Sequence, residues 1–121
     1  MNKKNLDYLF SLESKGIKLG LEKTEELLAA CGNPQEHFIS IQVVGTNGKG
    51  STSAMLSNIL KVSGYKVGLY TSPHLNRINE RIRINGKSIS DLKVDEFISK
   101  FHPNINKINS SFFEAMTAMA A

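Results

Sequence analysis

One cysteine in 121 residues, Cys31, leaves nothing to pair with inside the chain and excludes an internal disulfide. It falls in the apolar helical pattern Leu27, Leu28, Cys31, where a free thiol packs as a small hydrophobe and fits a reducing cytoplasm. No apolar run approaches the length of a membrane span. The opening MNKKNLDYLF carries charge without a long apolar segment or a small-residue cleavage site, so no export leader is expected. Charge of one sign is also scarce: fifteen Lys and Arg against eleven Asp and Glu leave +4, enough to help attract polyanions but spread too thinly for a nucleic-acid surface. A soluble cytoplasmic protein is expected, with neither nucleic acid nor membrane as partner. Its 40% hydrophobic and 21% charged content is ordinary for a globular domain and names no function.

What is present is a succession of periodic segments. Leu6, Leu9, Phe10 and Leu12 predict a short helix, which SKGIKLG breaks with two glycines. Thr24 to Ala30 reads as helix again, stopped by Gly32-Asn33-Pro34. The period then changes. Residues 37–44, HFISIQVV, are rich in β-branched side chains and read as a buried strand running into glycines. Met55, Leu56, Ile59, Leu60 and Val62 share the spacing of a helix that Gly64 ends, and KVGLYT at 66–71 reads as a second strand. Strand, glycine loop, helix, strand predicts a βαβ unit with parallel strands. Further on, ERIRI alternates, Asn85-Gly86 predicts a hairpin turn, Ser90-Asp91 caps a helix to about Phe101, and HPNINKINSS reads as a linker. FFEAMTAMAA starts another apolar helix without a C-cap, which points to a fragment of a longer protein. The domain reading is an N-terminal helical segment, 1–36, followed by the first part of an α/β domain, 37–121.

The stretch 43–52, VVGTNGKGST, carries the chemistry. A loop between a strand's end and a helix's start aims backbone N–H groups outward, and the helix dipole adds about half a positive charge there. Gly45, Gly48 and Gly50 let the backbone curl, Lys49 offers a cation for the β- and γ-phosphates, and Ser51 or Thr52 offers a hydroxyl to Mg²⁺. The spacing departs from G-x-x-x-x-G-K-[ST], because Gly50 separates the lysine from the hydroxyls. Ser72, just past the second strand, is placed to join the shell of a nucleotide-bound Mg²⁺ or else to make a turn before Pro73. His74 reads as loop-shaping, and His37 and His102 have no companions for ligation. Arg81 and Arg83 are expected on one face of ERIRI, meeting polyanionic substrate, solvent or Glu80.

GTNGKGS at 45–51, TSPHL at 71–75, NERIRING at 79–86, SFFEAMTAMAA at 111–121 and GIKLGLEK at 16–23 together resemble the N-terminal part of the folylpolyglutamate synthase/dihydrofolate synthase family of the Mur ligase superfamily. The similarity covers essentially the whole chain in the family's order. It implies an α/β Rossmann-like P-loop domain with a parallel sheet, truncated here. It also implies an ATP-dependent amide ligase that phosphorylates the carboxylate of dihydropteroate or of a folate's glutamate tail, after which the amine of L-glutamate displaces phosphate.

On this resemblance Thr46, Asn47, Gly48, Lys49, Gly50 and Ser51 hold the phosphates, with Lys49 reaching the γ-phosphate. Ser72 is a Mg²⁺ ligand, and Ser111, Phe112, Phe113 and Glu114 line the pterin or folate site together with the segment around Ser11–Glu13. Phe112 or Phe113 could stack on a pterin ring while Glu114 accepts its N–H groups, although apolar residues at a helix start are ordinarily core. The family's other metal ligands, its adenine pocket and its glutamate-binding domain lie beyond residue 121, so the fragment alone is expected to be inactive and the full-length enzyme a monomer. Two other readings stand beside it: another Mur-type ligase, and a non-catalytic ATP-binding module.

Overall fold

The computed structural model describes residues 2–15 and 20–121. The glycine break expected at 16–19, and with it part of the GIKLGLEK resemblance, lies outside the described residues. Helices α1 (Lys3–Ser11), α2 (Glu22–Ala30), α4 (Asp91–Ile108) and α5 (Phe112–Ala120) belong to one compact unit, Met1–Phe38 with Asp91–Ala121. Helix α3 (Lys49–Val62) and strands β1 (Gly68–Tyr70), β2 (Ile82–Ile84) and β3 (Lys87–Ser88) belong to a second, Ile39–Ser90. The chain passes between units after Phe38 and again after Ser90, so that the C-terminal helices group with the N-terminal segment.

In the first unit the helices form where the apolar period and the caps agree. The Asn2 side chain accepts from Lys4 N–H at 2.9 Å to open α1, and left-handed Asn33 follows α2 at the expected stop. Leu9, Leu12, Leu27, Val94, Ile98, Ile105, Ala115 and Met116 make the core. Helix α4 corrects the sequence reading: it runs straight through the supposed linker to Ile108 with Pro103 inside. A helix-interior proline costs about 3 kcal/mol. Running on past Pro103 buries Ile105 completely, a contribution of about 1.5–3 kcal/mol that offsets much of that cost, and left-handed Asn109 then ends the helix. Polar ties join α1 to α4: Asn5 donates to Asp95 at 3.0 Å and the Tyr8 hydroxyl to Asn106 at 2.7 Å.

The second unit departs further from expectation. Its sheet has the order β1-β2-β3 and is antiparallel throughout, with Leu69 opposite Arg83 and Arg83 opposite Ser88. The turn between β2 and β3 is the expected Asn85-Gly86, both residues having positive φ as a two-residue hairpin requires. Residues 37–44 do not form the expected strand: Pro34–His37 is a 3₁₀ turn, and the residues after it make no ladder. A strand exists only against a partner, and β1, at the edge of the sheet, pairs with β2 alone. Ile39 is accordingly 96% exposed. The parallel βαβ unit is thus absent among the described residues, and α3 buries no residue fully, with Leu56 and Leu60 half-covered and Met55, Ile59 and Val62 exposed.

Candidate functional site

The glycine loop ends on Gly48, whose left-handed φ of 74° only glycine adopts readily, and this places Lys49 as the first residue of α3. The first intrahelical bond runs from Thr52 N–H to the Gly48 carbonyl at 2.9 Å, so the N–H groups of Lys49, Gly50 and Ser51 precede the helical ladder. No side chain caps them. Thr46 to Ser51 are all exposed, which gathers the six phosphate-loop residues at one helix end. Gly50 is informative in another way. Glycine inside a helix costs roughly 1 kcal/mol against alanine, yet a Cβ at this position would meet nothing within 4 Å. Crowding by the protein does not explain the glycine.

Ser72 stands exposed two residues past β1, in the same unit. The loop it belongs to is held by residues that the sequence reading used only as charges. Thr71 N–H donates to the Arg81 carbonyl at 2.8 Å, and Arg81 Nε donates to His74 Nδ1 at 2.8 Å. His74 is the loop-shaping residue expected of it. Glu80 accepts three consecutive backbone N–H groups, from Leu75 at 3.0 Å, Asn76 at 3.1 Å and Arg77 at 2.9 Å. Those bonds, Leu75's foremost, hold its carboxyl below the ordinary carboxylate range. A sequence signal existed: Glu80 stands three residues after Arg77, the spacing of a capping box before the 3₁₀ turn Ile78–Arg81. Arg81 lies in that turn and Arg83 in β2, so the two arginines do not share the strand face expected of them.

Ser111 to Glu114 fall in the other unit, at the start of α5. The Ser111 hydroxyl accepts from Glu114 N–H at 3.3 Å and the Glu114 carboxylate accepts from Ser111 N–H at 2.9 Å, a reciprocal cap. Ser111, Phe112 and Glu114 are buried, and Phe112 stacks on Phe10 with ring centroids 6.2 Å apart. Phe113 is 53% exposed and is the ring open to a flat ligand. Ser11 and Glu13, from the early segment, are exposed.

Charge divides between the units in a way that the overall +4 conceals. Residues 39–90 carry Lys49, Lys61, Lys66, Arg77, Arg81, Arg83 and Lys87 against a single carboxylate, Glu80, which is occupied by backbone. A phosphate-bearing ligand would meet a field of one sign. No group of His, Cys, Asp and Glu able to hold a metal gathers among the described residues, and no described helix is long and apolar enough to cross a membrane.

No family model matches the chain. Over 120 residues it is 38% identical to a Haloferax volcanii protein named probable bifunctional folylpolyglutamate synthase/dihydropteroate synthase, covering 95% of this chain and 14% of that one. The solved structure of E. coli FolC in complex with DHPP and ADP superposes with a TM-score of 0.86 at 36% identity, over 96% of this chain and 29% of that chain. The bifunctional folylpolyglutamate synthase/dihydrofolate synthase of Yersinia pestis, complexed with AMPPNP and Mn ion, superposes with a TM-score of 0.79 at 35% identity, over 95% and 28%. Among curated relatives, the chain spans 14% of the Haloferax protein and 27% of an Escherichia coli one.

Proposed function

We propose, from the premise that this chain belongs to the folylpolyglutamate synthase/dihydrofolate synthase family, that it carries the phosphate-binding part of an ATP-dependent ligase joining L-glutamate to a pterin-bearing carboxylate. Dihydropteroate and folate are the proposed acceptors. The observation that carries this reading is the N-terminus of α3, uncapped by any side chain, opened by left-handed Gly48 and bearing Lys49 in its first turn. There the N–H groups of Lys49, Gly50 and Ser51 would donate to phosphate oxygens, and Gly50 would let the phosphates come close. The Lys49 ammonium would balance charge that develops on the transferred γ-phosphoryl group, the main service that phosphoryl transfer asks of a protein. The acyl phosphate so formed is attacked by the glutamate amine, and phosphate leaves.

The exposed hydroxyls of Ser51 and Ser72 are hard oxygen donors of the kind Mg²⁺ accepts. They would hold it together with nucleotide oxygens and ligands from residues beyond 121, and the ion would neutralise phosphate charge. Phe113 is the proposed pterin contact, with Ser111, Phe112 and Glu114 setting the helix that presents it. In the longer protein residues 37–44 would become a strand of a parallel, Rossmann-like P-loop sheet, with 37–121 beginning the ATP-binding domain after the helical segment 1–36. We place that protein in the cytoplasm as a soluble monomer, and we expect these 121 residues alone not to ligate glutamate.

The test is glutamate-dependent phosphate release by the full-length protein with ATP and each pterin acceptor. Lys49→Ala should lower turnover about a thousandfold, equivalent to about 4 kcal/mol. A variant keeping more than a tenth of the activity would remove Lys49 from the mechanism. Nucleotide binding without any glutamate-dependent release would favour the non-catalytic module.

A further inference from the structure

We propose that Glu80, seconded by Arg81, is the positioning residue that presents Ser72 to the nucleotide-bound cation; the inference rests on the metal role proposed above for Ser72. Ser72 lies between two anchored points. On one side Thr71 N–H is held by the Arg81 carbonyl, and on the other the His74 ring is held by Arg81 Nε, both at 2.8 Å. The chain beyond His74 is fastened by both oxygens of one carboxylate, Glu80 Oε1 taking Leu75 N–H and Oε2 taking those of Asn76 and Arg77. Two consecutive residues thus supply all of these restraints, from a 3₁₀ turn that is itself tied down: Ile78 is buried, and Asn79 Nδ2 donates to the Ile89 carbonyl at 2.8 Å.

The purpose of such a clasp follows from the chemistry of the hydroxyl. A serine oxygen is a weak, neutral ligand, and Mg²⁺ demands close octahedral placement. A mobile loop would have to be ordered at each binding event, at a cost in affinity. Three N–H donors to an ionised acceptor make a strong local restraint. Glu80 is also the one carboxylate in residues 39–90, so its charge, which would otherwise compete for the cation, is turned onto backbone. Glu80→Gln keeps the shape and replaces one acceptor oxygen by an NH₂ group facing an N–H.

Two measurements on the full-length protein test this. In the wild type, the amides of Leu75, Asn76 and Arg77 should exchange with solvent deuterium at least about tenfold more slowly than an exposed, unbonded loop amide, whatever any variant does. In Glu80→Gln the half-saturating Mg²⁺ concentration at fixed ATP should rise roughly tenfold. The nucleotide affinity measured without metal should stay within about twofold of wild type, a split that general loss of structure would not produce. Asn79→Ala, which removes a buried tie elsewhere on the same turn, should lower the melting temperature without that split. Unprotected Leu75–Arg77 amides, or an unchanged Mg²⁺ requirement in Glu80→Gln beside a raised one in Ser72→Ala, would overturn the positioning role alone. No Mg²⁺ effect of Ser72→Ala would overturn the metal reading beneath it.

Discussion

Helix α4 buries Val94, Ile98 and Ile105 completely, while α3, with apolar residues at equally helical spacing, buries none. The same signal in sequence has two outcomes because a stripe of apolar residues is buried only where another element offers a face to it. Around α4 three helices do so. Around α3 the only sheet of its unit is three short antiparallel strands, which leave Met55 and Ile59 61% exposed. Charge follows the same division. The helical unit carries eight basic and ten acidic residues, whereas residues 39–90 carry seven basic and one acidic. The unit with the closed core is electrically balanced, and the unit with the glycine loop is not.

The sharpest way to break this contrast is to truncate one apolar residue in each helix. Ile105→Ala should cost about 2–5 kcal/mol of unfolding free energy, because it opens a cavity in a packed core. Ile59→Ala, on a surface already in contact with water, should cost less than about 1 kcal/mol. Denaturant unfolding of both variants measures this, and equal losses would mean that α3 is covered in solution. A smaller effect concerns acid. The Glu80 carboxyl is held below its ordinary range, so its contribution to the 75–77 loop is complete at neutral pH and is lost as pH falls through that lowered value. The amide shifts of Leu75, Asn76 and Arg77 should therefore titrate together with a midpoint below the ordinary glutamate value, in surroundings that also include His74, Arg77 and Arg81. A midpoint at or above the ordinary value would mean that the clasp is open. The smallest effect belongs to the helical unit. Burial raises the Cys31 thiol above its ordinary pKa, only partly opposed by Lys100, so iodoacetamide at neutral pH should modify it more slowly than a free cysteine thiol.

Local signals were legible wherever a neighbour in sequence completes the structure. Asn85-Gly86 turns a hairpin and Gly32-Asn33-Pro34 stops α2, each within a few residues. The glycine loop and the helix after it were legible in the same way, although the helix begins at Lys49, two residues before the Ser51 start read from sequence. Sequence reading failed where the partner is distant. It ended α4 at about Phe101, since the reward for continuing lies in the burial of Ile105 against other helices, and it made a strand of 37–44, to which no strand of the sheet pairs.

The candidate site divides along the same line. The residue types of GTNGKGS, and the order in which glycine, lysine and hydroxyl follow one another, were set by sequence alone, as was the family resemblance that relatives at 38% identity bear out. Only tertiary structure decided that Phe113 and not Phe112 is open to a ligand, since which of two adjacent aromatic residues turns inward depends on where Phe10 waits. It alone decided that Glu80 serves backbone and not an arginine, because a carboxylate goes to whichever donors the folded chain brings into hydrogen-bond reach, and here those are three amides at 2.9–3.1 Å of a loop bent back over it.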